Sequence, residues 1–187
     1  MERFKLTVEQ LKKARTYMTA AEKEAFIRSN AVKCFDRLRL VSGDGKDPMP
    51  PMYRENPVLK ARYLMTALVR DYLGIPCETV LEADGTGDLM SEGDYDRYAG
   101  SNLFGQLIAW RRDAGMKSIC GDLMSDYSLL ERWFSSQVRS LLDIQNDAVV
   151  RQSELDRQAV QQLPALLEEL KKLAPDRSGK SVMQDAG

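Results

Sequence analysis

A chain of 187 residues with a formal net charge of −1, 43% hydrophobic and 29% charged residues has the composition of an ordinary globular protein. This composition excludes wholesale disorder, and the sequence lacks the roughly 18 uninterrupted apolar residues of a membrane-spanning helix. Because the first ten residues contain no apolar stretch of signal-peptide length either, we expect a cytoplasmic protein that does not engage a membrane.

The absence of histidine is the most restrictive feature of the composition. It excludes serine–histidine and cysteine–histidine nucleophile systems and any histidine-ligated metal. The three cysteines, Cys34, Cys77 and Cys120, are widely separated and form no CxxC pair, so they predict buried thiols and not a zinc site. We therefore predict no cofactor, and any catalysis would have to use carboxylates, lysine, arginine or tyrosine.

Two helices are predicted over residues 1–41. Thr7-Val-Glu-Gln10 and Thr19-Ala-Ala-Glu22 both fit the capping box, in which a threonine oxygen and the following Gln or Glu satisfy backbone donors at a helix start. Apolar residues from Phe26 to Val41 then recur at helical spacing, which extends the second helix to the end of this segment. Residues 42–57 contain four prolines and two glycines and predict a loop.

A third helix is predicted from Val58 to Leu73. Asn56 followed by Pro57 is a strong helix start, and Gly74 supplies the left-handed residue with which helices commonly end. Residues 78–94 predict an acidic, glycine-containing loop, after which a helical stripe resumes at Tyr95 and ends at Gly115.

The longest helix is predicted from about Ser125 to Pro164, where no residue interrupts the apolar stripe. A short leucine-rich helix follows, and the polar tail after it is predicted to be disordered. The predicted fold is thus all-α, with five or six helices in a single domain over residues 1–174. This domain comprises the N-terminal pair (1–41) and a core with the C-terminal helices (57–174), and the tail covers residues 175–187.

Five leucines crowd one face of the short terminal helix. Such a face predicts a protein interface, filled by another protein or by a second copy of the chain. The leucines are Leu163, Leu166, Leu167, Leu170 and Leu173.

Charge is distributed unevenly along the chain. Residues 1–77 contain 15 basic and 9 acidic residues, whereas residues 78–98 contain one arginine and 7 acidic residues. The basic residues of interest are Lys12, Lys13, Arg15, Arg28, Arg37 and Arg39, and the acidic ones are Asp84, Asp88, Glu92, Asp94 and Asp96. The basic patch could meet nucleic-acid phosphates, while the acidic loop could bind a basic partner, the basic helices themselves or a hard cation.

Three interpretations of function follow. The favoured one is a non-catalytic interaction module, such as an adaptor, assembly factor or inhibitor, because the sequence contains helices and segregated charge but no catalytic constellation. The second is a nucleic-acid-associated regulator that uses the basic N-terminal helices. The third is an enzyme dependent on carboxylates and a hard cation, for which no paired-carboxylate motif is present.

Overall fold

The computed structural model describes residues 3–38, 52–81 and 88–173, and within these ranges the protein is mostly α-helical. The chain divides into two units, Met1–Asn146 and Asp147–Gly187. The described elements, in chain order, are α1 (Val8–Lys13), α2 (Ala20–Asn30), β1 (Phe35–Leu38), β2 (Met52–Glu55), α3 (Pro57–Thr66), β3 (Thr79–Leu81), β4 (Asp88–Met90), α4 (Glu92–Gly100), α5 (Leu103–Trp110) and α6 (Lys117–Leu173). The mainly helical class is therefore confirmed, but the expectation of a chain without strands needs a correction.

Both predicted capping boxes are present. The Thr7 and Thr19 side chains accept hydrogen bonds from the backbone N–H groups of Gln10 and Glu22, and the Gln10 and Glu22 side chains accept from the backbone N–H groups of the threonines. Each box satisfies donors that a helix start leaves without an intrahelical partner. The starts of α1 and α2 are thus set by local sequence.

The second helix is shorter than predicted. It ends at Asn30, a single 3₁₀ turn (Ala31–Lys33) follows, and β1 then pairs antiparallel with β2, with Phe35 opposite Glu55. The short run after Cys34 fits a strand as well as a helix, and the pairing with a distant segment decides between them. Strand β2 lies inside the predicted loop 42–57, and residues 39–51 of that loop lie outside the described ranges.

The third helix begins and ends as predicted. The Asn56 side chain accepts hydrogen bonds from the backbone N–H groups of Val58 and Leu59, and Pro57 occupies the first turn. The helix continues beyond Thr66 as a π-helix (Ala67–Tyr72) and stops at Gly74, whose φ of 62° is the left-handed conformation that glycine adopts without steric cost.

The acidic segment is partly ordered into a hairpin. Strands β3 and β4 pair antiparallel, and α4 begins at Glu92, so only residues 82–87 of the predicted loop 78–94 remain undescribed. The helix predicted from Tyr95 to Gly115 is two helices, α4 and α5. Between them Asn102 adopts φ 52°, and its side chain accepts from the Gly105 N–H to cap α5.

One continuous helix replaces the two that were predicted at the C-terminal end. Helix α6 begins at Lys117, before the predicted start, and includes Pro164 in its interior. A proline predicts a helix end, because it lacks an N–H and its ring crowds the preceding turn. Here the helix accommodates it, and the leucines from 163 onward belong to α6. The predicted disordered tail, residues 175–187, lies outside the described ranges.

The core of the first unit is built from α1, α3 with its π-helical extension, α4, α5 and the first part of α6, and α2 packs against it. Phe134 packs against Phe26 with a ring separation of 5.2 Å, and Tyr72 meets Tyr127 edge to face at 5.9 Å. The largest fully buried side chains include Leu11, Tyr63, Leu68, Tyr72, Leu107, Leu123 and Phe134. This burial supplies the main free energy that holds the unit together.

Candidate interaction surfaces

An apolar face runs along the second unit. Between Asp147 and Lys172, apolar residues of α6 recur at intervals of three, four and seven residues, which keeps them on one side of a helix. With 3.6 residues per turn they fall within an arc of about 80°, which also contains the polar Gln152. We call this set the apolar face; its members are Ala148, Leu155, Ala159, Leu163, Leu166 and Leu170.

The leucines of the apolar face are open to solvent. The exposed fraction is 59% for Leu155, 51% for Leu163, 52% for Leu166 and 62% for Leu170. Leu167, at the border of the face, is also more than half exposed. Such a contiguous set of exposed leucines is typical of a contact surface, whereas single exposed apolar residues are common on any protein.

Three of the five predicted interface leucines, Leu163, Leu166 and Leu170, lie on the apolar face. Leu173 lies at the end of α6, and its side chain is outside the described part of the structure. Leu155 is not among the predicted interface residues, because a proline predicts a boundary between helices and Leu155 lies before Pro164. The signal was available, since Leu155 and Leu166 are 11 residues apart and 11 residues make three helical turns.

The predicted basic residues are spread over several elements. Lys12 and Lys13 are exposed in the last turn of α1, where positive charge is favoured by the helix dipole. The Arg15 guanidinium donates to both oxygens of Glu22, and that hydrogen bond is the main reason why the Glu22 pKa is lowered to about 2. Arg28 pairs with Glu24 at 2.6 Å.

Two further members of the basic patch differ from expectation. Arg37 is exposed on strand β1, so it does not belong to a basic helix as predicted. Arg39 lies outside the described residues. The helical basic surface is therefore smaller than the sequence suggested, and two of its arginines are engaged with carboxylates on the same segment.

The acidic residues are likewise distributed. The Asp94 side chain accepts from the Glu78 N–H at 2.7 Å, and Asp96 is exposed on α4. Glu92 lies 3.3 Å from the Arg62 guanidinium. Asp88 lies on β4, with its side chain outside the described part, and Asp84 is not described. Among residues 3–38, 52–81 and 88–173, no three acidic or cysteine side chains come close enough to hold a metal ion.

A buried ionic cluster ties α2 to α6 and was not foreseen from the sequence. The Lys23 amine donates to Asp126 at 2.6 Å and to the Met18 carbonyl oxygen at 2.7 Å. Asp126 also accepts from the Met18 N–H at 2.9 Å and from the Tyr72 hydroxyl at 2.7 Å. Because 103 residues separate the lysine from the aspartate, no local pattern reveals the pair.

The electrostatics of this cluster suit a structural role. Burial alone would raise the pKa of Asp126, but the hydrogen bonds from Lys23, Met18 and Tyr72 lower it. Burial and the bond to Asp126 raise the pKa of Tyr72, so its hydroxyl stays protonated. The carboxylate is thus held ionised with its oxygens occupied, which makes it a poor general acid or base near neutral pH.

One cavity of about 300 Å³ opens between α3, α4, α5 and α6 of the first unit. Its lining is mainly apolar, and Tyr127, whose pKa burial raises, contributes one wall. Tyr95, Asn102, Tyr127 and Glu131 supply its side-chain polar groups.

No protein-family model matches the sequence, and comparison with curated proteins and with solved structures finds no similar protein. In the ranges that the structure describes, no helix has the length and apolar character needed to cross a membrane.

Proposed function

We propose that this protein is a non-catalytic interaction module and that the apolar face of residues 147–172 is its contact surface. The observation that carries the proposal is the half-exposed set of leucines on one side of α6. A helix that offers apolar residues at this spacing is a common mode of protein recognition, in which the leucines enter a groove or pack against another helix.

The energetics of covering this face fit a specific but moderate association. Full burial of a leucine contributes roughly 1.5–3 kcal/mol, so covering four leucines that are about half exposed contributes about 4 kcal/mol on this side of the interface. Association itself costs an estimated 4–15 kcal/mol, so the partner must contribute comparable apolar surface. A partner with an apolar helix or groove of its own meets that requirement.

The other interpretations have less support. A nucleic-acid function would use the basic patch, but Arg15 and Arg28 pair with carboxylates of their own segment. A carboxylate enzyme would need acidic groups that converge, and the best-organised carboxylate, Asp126, is occupied by three donors. The proposal includes a cytoplasmic location, since three widely spaced cysteines are typical of proteins from reducing compartments.

The test is affinity capture with the full chain as bait, followed by quantification of the proteins retained. We expect the wild type to retain a stoichiometric protein, either another protein or added untagged chain. Leu163→Glu/Leu166→Glu should lose it, because two charges would enter the interface.

The matched control is Val150→Glu, which makes the same change at an exposed position on the opposite side of α6. We expect this variant to retain the same protein as the wild type. Equal capture by the wild type and the double leucine variant would contradict the proposal.

A further inference from the structure

The apolar face repeats with a period of 11 residues. The first repeat begins with Ala148 and Val149 and has Leu155 seven residues after the alanine. The second begins with Ala159 and Val160 and has Leu166 seven residues after the alanine. A third repeat begins with Leu170. An 11-residue repeat corresponds to 3.67 residues per turn, close to that of a straight α-helix, so the stripe stays on one side with little supercoiling. The face therefore suits a partner helix of similar length.

One edge of the apolar face carries a basic and an acidic residue at equivalent helical positions, Arg151 and Glu169. Arg151 and Glu169 are 18 residues apart, which is five turns, so they project on the same side. Asp147, Glu154 and Lys172 lie farther from the face on this side, and the opposite edge carries Asp156.

We propose that the apolar face is covered by a second copy of this chain in antiparallel orientation. In an antiparallel helix pair the same edge of each helix meets its counterpart. A register centred near residue 160 sets Arg151 beside the partner's Glu169, and the two-fold symmetry repeats this pair.

Most residues of the apolar face complement each other in the same register. Leu155 meets the partner's Leu166, and Ala159 meets the partner's Leu163, so a small side chain lies beside a large one. Leu170 meets the partner's Gln152, the polar residue within the arc of the face. A parallel pair in register would instead place Ala159 against its own copy and leave space between the helices. Its edges would pair Arg151 with Asp156, whereas the antiparallel arrangement pairs Arg151 with Glu169, so a charge reversal at Glu169 distinguishes the two arrangements.

This inference rests on the proposed function, because it names the partner of the same face. The test is sedimentation equilibrium of the full chain at low ionic strength, where exposed ion pairs are least screened. We expect a dimer for the wild type and about tenfold weaker dimerisation for Arg151→Glu and for Glu169→Arg, since each reversal turns two attractions into two repulsions. Arg151→Glu/Glu169→Arg should restore the dimer to near wild-type affinity.

The control is Arg157→Glu, the same charge change on the side of α6 away from the apolar face, and it should dimerise like the wild type. The antiparallel pairing would be overturned if Arg151→Glu and Glu169→Arg dimerised as tightly as the wild type. It would also be overturned if the double variant failed to restore the dimer. A monomeric wild type would overturn self-association, yet the proposed function would stand if Leu163→Glu/Leu166→Glu still lost another captured protein. A dimer that survives Leu163→Glu/Leu166→Glu would contradict both.

Discussion

Two stretches of α6 carry apolar residues at similar spacing in different surroundings. In the first unit, Leu123, Leu130 and Phe134 are completely buried, whereas the leucines between Asp147 and Lys172 are half exposed or more. Helical spacing determines which residues share a face. Whether that face is buried depends on what other segments supply, and the described residues of the second unit contain only α6.

The first unit surrounds its part of α6 with partners of several kinds. Phe26 of α2 packs on Phe134, and Lys23 of α2 reaches Asp126. The second stretch carries a comparable apolar set, and the described residues of the second unit include no other helix or strand. A substitution confined to one stretch should therefore leave the stability of the other unchanged.

The largest expected effect is at the buried aromatic contact. Phe134→Ala should lower the free energy of unfolding of the first unit by about 3–5 kcal/mol, because it removes a buried ring and leaves a cavity. Both tryptophans, Trp110 and Trp133, lie in this unit, so urea unfolding followed by tryptophan fluorescence reports on it. A loss below about 1 kcal/mol would contradict the assignment of Phe134 to the core.

The ionic cluster should give the next largest effect. Asp126→Asn should cost about 3 kcal/mol of stability, because it leaves the buried Lys23 amine without its opposing charge. Asp122→Asn, at an exposed position one turn earlier on α6, is the matched control and should change stability by less than about 0.5 kcal/mol. Equal effects of the two variants in urea unfolding would argue against the buried pair.

Acid should weaken the first unit through its ion pairs. The pKa of Glu22 is lowered to about 2 by Arg15, and the pKa of Asp126 is also lowered. Carboxyl groups with lowered pKa values stabilise the folded state above their ordinary pKa, and this stability is lost as the pH falls from about 5 towards 2. The thermal midpoint should drop over that range. The thermal midpoint of Arg15→Gln should lie below that of the wild type at pH 6, and the two midpoints should converge near pH 2. A difference between the midpoints that does not change with pH would contradict the role of the Arg15–Glu22 pair.

A change at Pro164 should affect the second stretch alone. Proline removes a helical hydrogen bond and costs roughly 3 kcal/mol in a helix interior, so Pro164→Ala should strengthen the helix around it. We expect a more negative circular dichroism signal at 222 nm and slower amide exchange near residues 160–168. The unfolding midpoint reported by the tryptophans should stay the same, and a shift would mean that the stretches are coupled.

Local chemistry made the helix starts predictable. The Thr7 and Thr19 capping boxes, the Asn56 cap and the Gly74 stop each depend on residues within one turn, and the structure has all of them. Strand β1 was missed because its pairing partner begins at Met52, and a four-residue run carries too little periodicity to reveal a strand alone.

The contact surface was predictable in part for the same physical reason. Leu163, Leu166 and Leu170 share a face whether or not the preceding helix is continuous, so spacing alone identified them. Leu155 joins them only if the helix passes through Pro164, and the general rule for proline predicted otherwise. The Lys23–Asp126 pair depends on how α2 packs against α6, which no local pattern encodes.

The most direct test of the difference between the two stretches is urea unfolding, followed by tryptophan fluorescence, of Leu163→Ala/Leu166→Ala/Leu170→Ala. Alanine preserves helix propensity, so the variant removes apolar surface without breaking α6. We predict an unfolding free energy within about 0.5 kcal/mol of the wild type, since these side chains do not belong to the core. A loss of several kcal/mol, comparable to that of Phe134→Ala, would contradict the account.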